Sequence, residues 1–223
     1  MKIKAILFDL DNTLYPSRYY VQKARKQAIK NMLNYGLNYK PNYVYDLLLK
    51  IVKKYGSNYP YHFDKLLALL GFRQEEKYKL VVAGIIGYHS QKYYLKPYNK
   101  IPNLLNYLKK RYSLYVATEG IKKKQLEKLL RLKLDKYFKK VFVSRKKTTK
   151  FYKSILRKLR LKAHQVVMIG DDQQKDILIP STLGIHTFNI SAFCSRQRIN
   201  KFLNKKYILE LKKFLEDLEG KKC

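Results

Sequence analysis

The chain has 223 residues and a formal net charge of +33, from 49 Lys and Arg against 16 Asp and Glu. That length holds one large domain or a core with one insertion, and a hydrophobic share of 46% is enough for a packed core, which excludes a chain disordered throughout. No run approaches ~18 consecutive apolar residues, so a helix spanning a membrane is excluded as well.

In chain order, the apolar run Ile3–Phe8 has the character of a short strand buried on both faces. From Tyr20 to about Tyr94 the pattern turns helical. Val21, Ala24, Ala28 and Met32 keep the i, i+3/i+4 spacing, and "NYVYDLLLKIVKKYG" carries a second such face. Gly36, Gly56 and Gly71 stand where these helices should end, and two further helices are expected near Phe63–Leu70 and Glu75–Tyr94. Pro97 and Pro102 then mark a boundary. Beyond it strands and helices alternate: a helix at Pro102–Arg111, strand Ser113–Ala117, helix Lys123–Leu132, strand Val141–Ser144, helix Thr149–Leu159, strand Val166–Ile169, helix Asp176–Leu183 and strand Ile185–Ile190. A lysine-studded helix at about Asn200–Leu218 closes the chain. Such alternation implies an α/β fold, a Rossmann-like, doubly wound parallel sheet. The four helices between the first strand and the rest form an inserted α-helical cap, giving a core of residues 1–16 and 96–223 and a cap of 17–95.

Ligands of open parallel sheets bind at the carboxyl ends of the strands. There this chain places Asp9 and Asp11 after the first strand, Thr118-Glu119-Gly120 after the second, Arg145-Lys146-Lys147 after the third, and Gly170-Asp171-Asp172 after the fourth, with Asp176 five residues past Asp171. Clustered carboxylates repel one another unless a cation lies among them, and oxygen ligands without His or Cys suit a hard ion such as Mg²⁺. Mg²⁺ held by carboxylates tends to bind phosphate oxygens too. One carboxylate can attack phosphorus while a second, two residues on, protonates the leaving oxygen.

The motifs resemble those of the haloacid dehalogenase-like (HAD) hydrolase superfamily. "DLDNTL" is similar to its first motif, D-x-D-x-T, "LYVATEG" to the second, "KKTTKFY" to the third, and "VVMIGDDQQKDI" to the fourth, G-D-x-x-x-x-D. The helical insertion has the position and size of that family's C1-type cap, and "KYGSNYPYHFD" with "VVAGIIGYHSQK" resembles cap segments of small archaeal phosphatases. The resemblance implies a Mg²⁺-dependent phosphomonoesterase acting on a small phosphorylated metabolite. Asp9 would be the nucleophile that forms a phosphoaspartyl intermediate, and Asp11 the general acid and then base. Asp9, Asp171 and the backbone carbonyl of Asp11 would hold the metal, supported by Asp176 and Asp172. Thr118 and a lysine would hold the phosphoryl group, the lysine being either Lys147, the better match, or Lys146. Thr13, Tyr15, Glu119 and Gly120 stand where substrate would be touched.

Two departures stand out. Glu119 occupies a position where the family carries Asn or Asp, and the connection between the third strand and the lysine is short. The charge surplus adds a reading of another class, an RNA- or ribosome-associated binding protein on the same scaffold. Eighteen Lys and Arg fall between Ile121 and Ala163 against only Glu127 and Asp135, a field that attracts polyanions. Compositional bias accounts for the charge equally well. The strand-like N-terminus has no signal-peptide pattern, and Cys194 and Cys223, the only cysteines, make neither a disulfide framework nor a metal site. A soluble cytoplasmic monomer or homodimer, with no membrane partner, is the expected form.

Overall fold

The computed structural model describes residues 2–191 and 205–220. Cys194, Cys223 and the Asn200–Asn204 start of the expected last helix lie outside them. The chain divides into two compact units, Met1–Arg18 with Leu95–Cys223, and Tyr19–Tyr94.

The first unit opens with β1 (Ala5–Phe8), shorter than the apolar run because the sheet pairing starts at Ala5. Helix α1 (Ser17–Asn34) leads into α2 (Pro41–Tyr55), α3 (His62–Leu69) and α4 (Gln74–Ser90), which a 3₁₀ turn at Gln91–Tyr94 follows. The remaining elements are α5 (Ile101–Leu108), β2 (Ser113–Glu119), α6 (Lys122–Arg131), β3 (Lys140–Ser144), α7 (Thr149–Leu159), β4 (Val166–Gly170), α8 (Ile179–Ser181), β5 (His186–Asn189) and α9 (Lys205–Leu218).

All five strands are parallel, in the order β3-β2-β1-β4-β5. The central strands β1 and β4 are buried along their whole length, as strands covered on both faces must be, whereas edge strand β3 is half-exposed. Ala5 and Leu7 of β1, alternating along the pleat, point into one core with Val166, Met168, Tyr152 and Ile155. The chain begins in mid-sheet and adds strands first on one side and then on the other. The order therefore reverses between β1 and β4, the switch point where α/β sheets bind ligands.

In the second unit Met32, Leu48, Ile51, Leu66, Leu67 and Leu80 form a core of their own. Gly84 and Gly87 let α4 approach α1 closely: a Cβ at Gly87 would come within 2.7 Å of the Gln27 carbonyl oxygen. Gly36, Gly56 and Gly71 all take positive φ where helices end.

The expected helix Asp176–Leu183 is corrected. Gln173–Leu178 forms a π-helical turn, and only Ile179–Ser181 is α-helical. Pro180 has no N–H to donate to the Asp176 carbonyl, and its ring crowds that group, so the backbone widens there. Strand β2 also runs on through Glu119, which puts Thr118 and Glu119 inside the sheet rather than beyond it.

Candidate active site

The segment after β1 is held by its own turns. Asp9 N–H donates to the Ile169 carbonyl on β4 at 2.9 Å, fixing Asp9 at the switch point. Asn12 adopts a left-handed conformation, φ 59°, which Asn tolerates better than most residues. Its Oδ1 accepts from Ser17 Oγ at 2.9 Å and from the Arg18 N–H at 3.0 Å, tying the loop to the start of α1. Thr13 is fully buried, and its Oγ1 has no hydrogen-bond partner among the described residues.

Lys147 reaches this point from the connection that follows edge strand β3. Its Nζ donates to Asp9 Oδ1 at 2.5 Å and to Asp176 Oδ1 at 2.6 Å, and the side chain is only 3% exposed. Asp176 is equally buried, and its second oxygen accepts the Asp172 N–H at 3.2 Å. Gly170 makes that placement possible, because a Cβ there would lie 2.3 Å from Asp176 Oδ2. Asp172 Oδ1 accepts the Gln174 and Lys175 N–H groups, capping the π-turn that carries Asp176. Asp171 pairs with the exposed Arg18, at 3.5 Å.

Asp11 faces a separate set of donors. Lys128 Nζ on α6 meets its two oxygens at 2.8 and 2.7 Å, Tyr15 OH donates at 2.5 Å, and Gln125 Nε2 lies 3.4 Å away. Gln125 Nε2 also donates to the Glu119 carbonyl at 2.7 Å, directly over Gly120, where a Cβ would come within 2.4 Å of it. Glu119 Oε2 accepts the Lys147 backbone N–H at 3.0 Å, and its Oε1 pairs with Lys175 Nζ at 3.0 Å. Thr118 is buried near the end of β2, in register with Val143.

The electrostatics follow from the geometry. Burial pushes the Asp9 carboxyl up to about 6 against the pull of Lys147, with Asp176 adding to the rise. Burial and then Asp9 raise Asp171 to about 6. Asp176 is raised by burial as well. Burial opposes the charge on Lys147, but Asp9 and Asp176 outweigh it and lift the ammonium to about 12.

Carboxylate oxygens of Asp9, Asp171 and Asp176 all lie within 4.8 Å of one another. Three carboxylates against one lysine leave a charge of about two negatives, which suits a divalent cation, and an all-oxygen donor set suits a hard one. Both oxygens of Asp176 are engaged within the protein, which leaves Asp9 and Asp171 the freer donors. Asp11 is not part of this cluster.

A pH test follows. The folded values for Asp9 and Asp171 lie above the ordinary 3.8. The metal-free folded protein therefore binds protons more tightly than the unfolded chain does. These two groups stabilise the fold below about pH 4 and withdraw that stability as pH rises through about 6. Mg²⁺ at a fixed concentration about 100 times its dissociation constant at pH 7.5 should raise the melting temperature there by roughly 5–10 °C. At pH 5 the rise should be much smaller, because protons occupy the same carboxylates. Equal rises in a thermal-shift assay at both pH values would place the ion elsewhere.

The structure brings Asp9, Lys147, Asp171 and Asp176 together; Glu119 holds the Lys147 backbone, Gly120 lies against Gln125, and Thr118 precedes Glu119 in β2. Tyr15 turns its hydroxyl onto Asp11. Lys146 does not join the cluster: it is exposed, and its backbone is engaged by Ser144 Oγ. Sequence reasoning missed Gln125, Lys128 and Lys175. Gln125 and Lys128 share a face of α6 at i, i+3, but Lys128 is one lysine within a dense basic block, and nothing local separates it from the rest.

The Haloacid dehalogenase-like hydrolase family model matches residues 6–190, a span that holds every site residue above. A glyceraldehyde 3-phosphate phosphatase of Pyrococcus furiosus is 37% identical, covering 98% of this chain and 94% of that one. A protein of the same name from Methanocaldococcus jannaschii is 41% identical over 84% of this chain and 85% of its own. Among solved structures, a haloacid dehalogenase-like family hydrolase from Xanthomonas campestris has a TM-score of 0.67 at 17% identity, covering 99% of this chain and 95% of that one. A HAD phosphatase from Thermococcus onnurineus has a TM-score of 0.64 at 20% identity, covering 96% and 98%. The four motifs, the parallel sheet and the family match agree: the chain belongs to the haloacid dehalogenase-like hydrolases.

Proposed function

We propose that the protein is a Mg²⁺-dependent phosphatase of small phosphorylated metabolites, with glyceraldehyde 3-phosphate the first substrate to test. The observation that carries the reading is Asp9, held by Lys147 at the switch point of the sheet with Asp11 two residues on. The relatives' shared name points to the triose phosphate.

The chemistry then distributes over the chain's own residues. Asp9 attacks phosphorus, forming an aspartyl phosphate and breaking the bond to the substrate's alcohol oxygen. Asp11 gives that oxygen a proton, then takes one from the water that hydrolyses the aspartyl phosphate, restoring both carboxyl groups. Lys147 keeps Asp9 ionised despite burial and sets a positive charge where the phosphoryl oxygens gather. Thr118 lies at the same sheet edge and is suited to hydrogen-bond those oxygens. A Mg²⁺ ion held by Asp9 and Asp171, when bound, offsets the repulsion between carboxylates and phosphate. Cleavage of a carbon–halogen bond needs no acid for the leaving group, so a second carboxyl group at Asp11, two residues past Asp9, favours the phosphate ester.

The test is release of inorganic phosphate from glyceraldehyde 3-phosphate and from p-nitrophenyl phosphate, with Mg²⁺ and with a chelator. Metal-dependent release from either ester is expected. Its absence from both, in folded protein and across a wider panel of phosphate esters, would overturn the reading.

Lys128 provides a second check. It fixes the Asp11 carboxylate in a half-exposed ion pair, 30% accessible on both sides. Lys128→Met should lower kcat by roughly tenfold while leaving the melting temperature within a few degrees, since such pairs contribute little to stability. An unchanged kcat would show that Tyr15 and Gln125 suffice to hold Asp11.

A further inference from the structure

Glu119 is the acid that departs from the family pattern, and it is anchored at four points. Its backbone is the last of β2, paired with Ser144 of β3, and its carbonyl accepts from Gln125. Its Oε2 takes the Lys147 N–H at 3.0 Å, and its Oε1 takes Lys175 Nζ from the π-turn that also carries Asp176. A carboxylate here therefore joins the two segments that deliver Lys147 and Asp176, the two ends of a buried ion pair.

The short β3–α7 connection explains why such a strut is useful. Only Arg145 and Lys146 separate the end of β3 from Lys147, and Thr148 already caps α7 through the Phe151 N–H. Ser144 Oγ closes the turn onto the backbone of Lys146 on one side of the lysine. Among the described residues the Lys147 N–H has the Glu119 carboxylate as its acceptor, and a shorter Asp or Asn at 119 would fall about one methylene short of it. The side chain of Lys147 must then cross to Asp9 from a backbone position that Glu119 sets.

We propose that Glu119 is a positioning residue: its carboxylate fixes the Lys147 backbone so that the ammonium is aimed at Asp9. The role rests on the assignment of Lys147 to the phosphatase site, and the experiment separates the two. Amide hydrogen exchange at Lys147 reads the hydrogen bond directly, whether or not a substrate is turned over. Glu119→Ala should speed that exchange by about tenfold or more, and Glu119→Gln, which keeps one acceptor oxygen, should restore most of the protection. In the kinetics, Glu119→Ala should lower kcat by about 10- to 100-fold with KM changed less than threefold, the size expected for a lost charge-assisted hydrogen bond. Glu119→Gln should recover most of that loss.

Unchanged exchange at Lys147 in Glu119→Ala would overturn the proposal, as would a Glu119→Ala kcat within twofold of an active wild type. If the wild type hydrolyses no phosphate ester, the functional reading falls, and the exchange rates still decide whether Glu119 holds Lys147.

Discussion

Replacing Lys147 with methionine should both abolish turnover and destabilise the protein. The ammonium is 3% exposed and lies between two buried carboxylates, Asp9 and Asp176. Removing it leaves two negative charges facing each other, with Asp171 nearby, in a site that water reaches poorly. Breaking a buried ion pair from one side typically costs about 3–5 kcal/mol, which for a chain of this size lowers the melting temperature by roughly 10 °C. The sign of the pH dependence is fixed by the acids left behind. Their folded values are already raised by burial, and loss of the lysine raises them further. The defect should be largest above pH 6 and shrink as pH falls towards 4, where both groups take up protons. Melting curves at pH 5 and 7.5 check this directly. A variant as stable as wild type at pH 7.5 would mean that Lys147 does not occupy the slot between the two acids.

Asp9→Asn tests the chemistry with less disturbance to the fold. The amide keeps the shape of the carboxylate and an oxygen to accept from Lys147, but it does not attack phosphorus. Turnover should fall by at least about 10⁴-fold, as when a covalent nucleophile is removed from other hydrolases. Stability should move little, within a few degrees of wild type at pH 7.5 without metal, because the substitution also removes the buried charge whose desolvation, with repulsion from Asp176, raises Asp9 to about 6. The contrast between the two variants is the useful result: both inactive, only one unstable. A metal-dependent Asp9→Asn enzyme within tenfold of wild type would exclude Asp9 as the nucleophile. Assays should use enzyme purified away from host phosphatases, since residual contamination mimics a small surviving rate.

The legible part of the site was the part written at strand ends. Asp9, Asp11, Thr118, Asp171 and Asp176 each follow or close an apolar run, and a parallel sheet must gather such residues along one edge. The strands themselves were readable because β1 and β4 are buried on both faces and so appear as unbroken apolar runs. Helix ends in the second unit were readable from Gly36, Gly56 and Gly71, whose positive φ a side chain would resist. The expected helix at Asp176–Leu183 is π-helical through Leu178 and α-helical only at Ile179–Ser181, because Pro180 supplies no backbone donor to the Asp176 carbonyl.

By itself, then, the sequence determined the class of fold, the order of the strands along the chain and the acids at their ends, since burial and backbone sterics act locally and leave periodic marks. Tertiary structure alone decided which of Lys146 and Lys147 reaches Asp9. Adjacent lysines carry the same charge and propensity, and only the turn closed by Ser144 and Glu119 sends one into the core and leaves the other in water. It likewise decided the partners of Asp11. Lys128 is 117 residues away in the chain, and nothing in a run of lysines marks the one whose helix face meets a carboxylate.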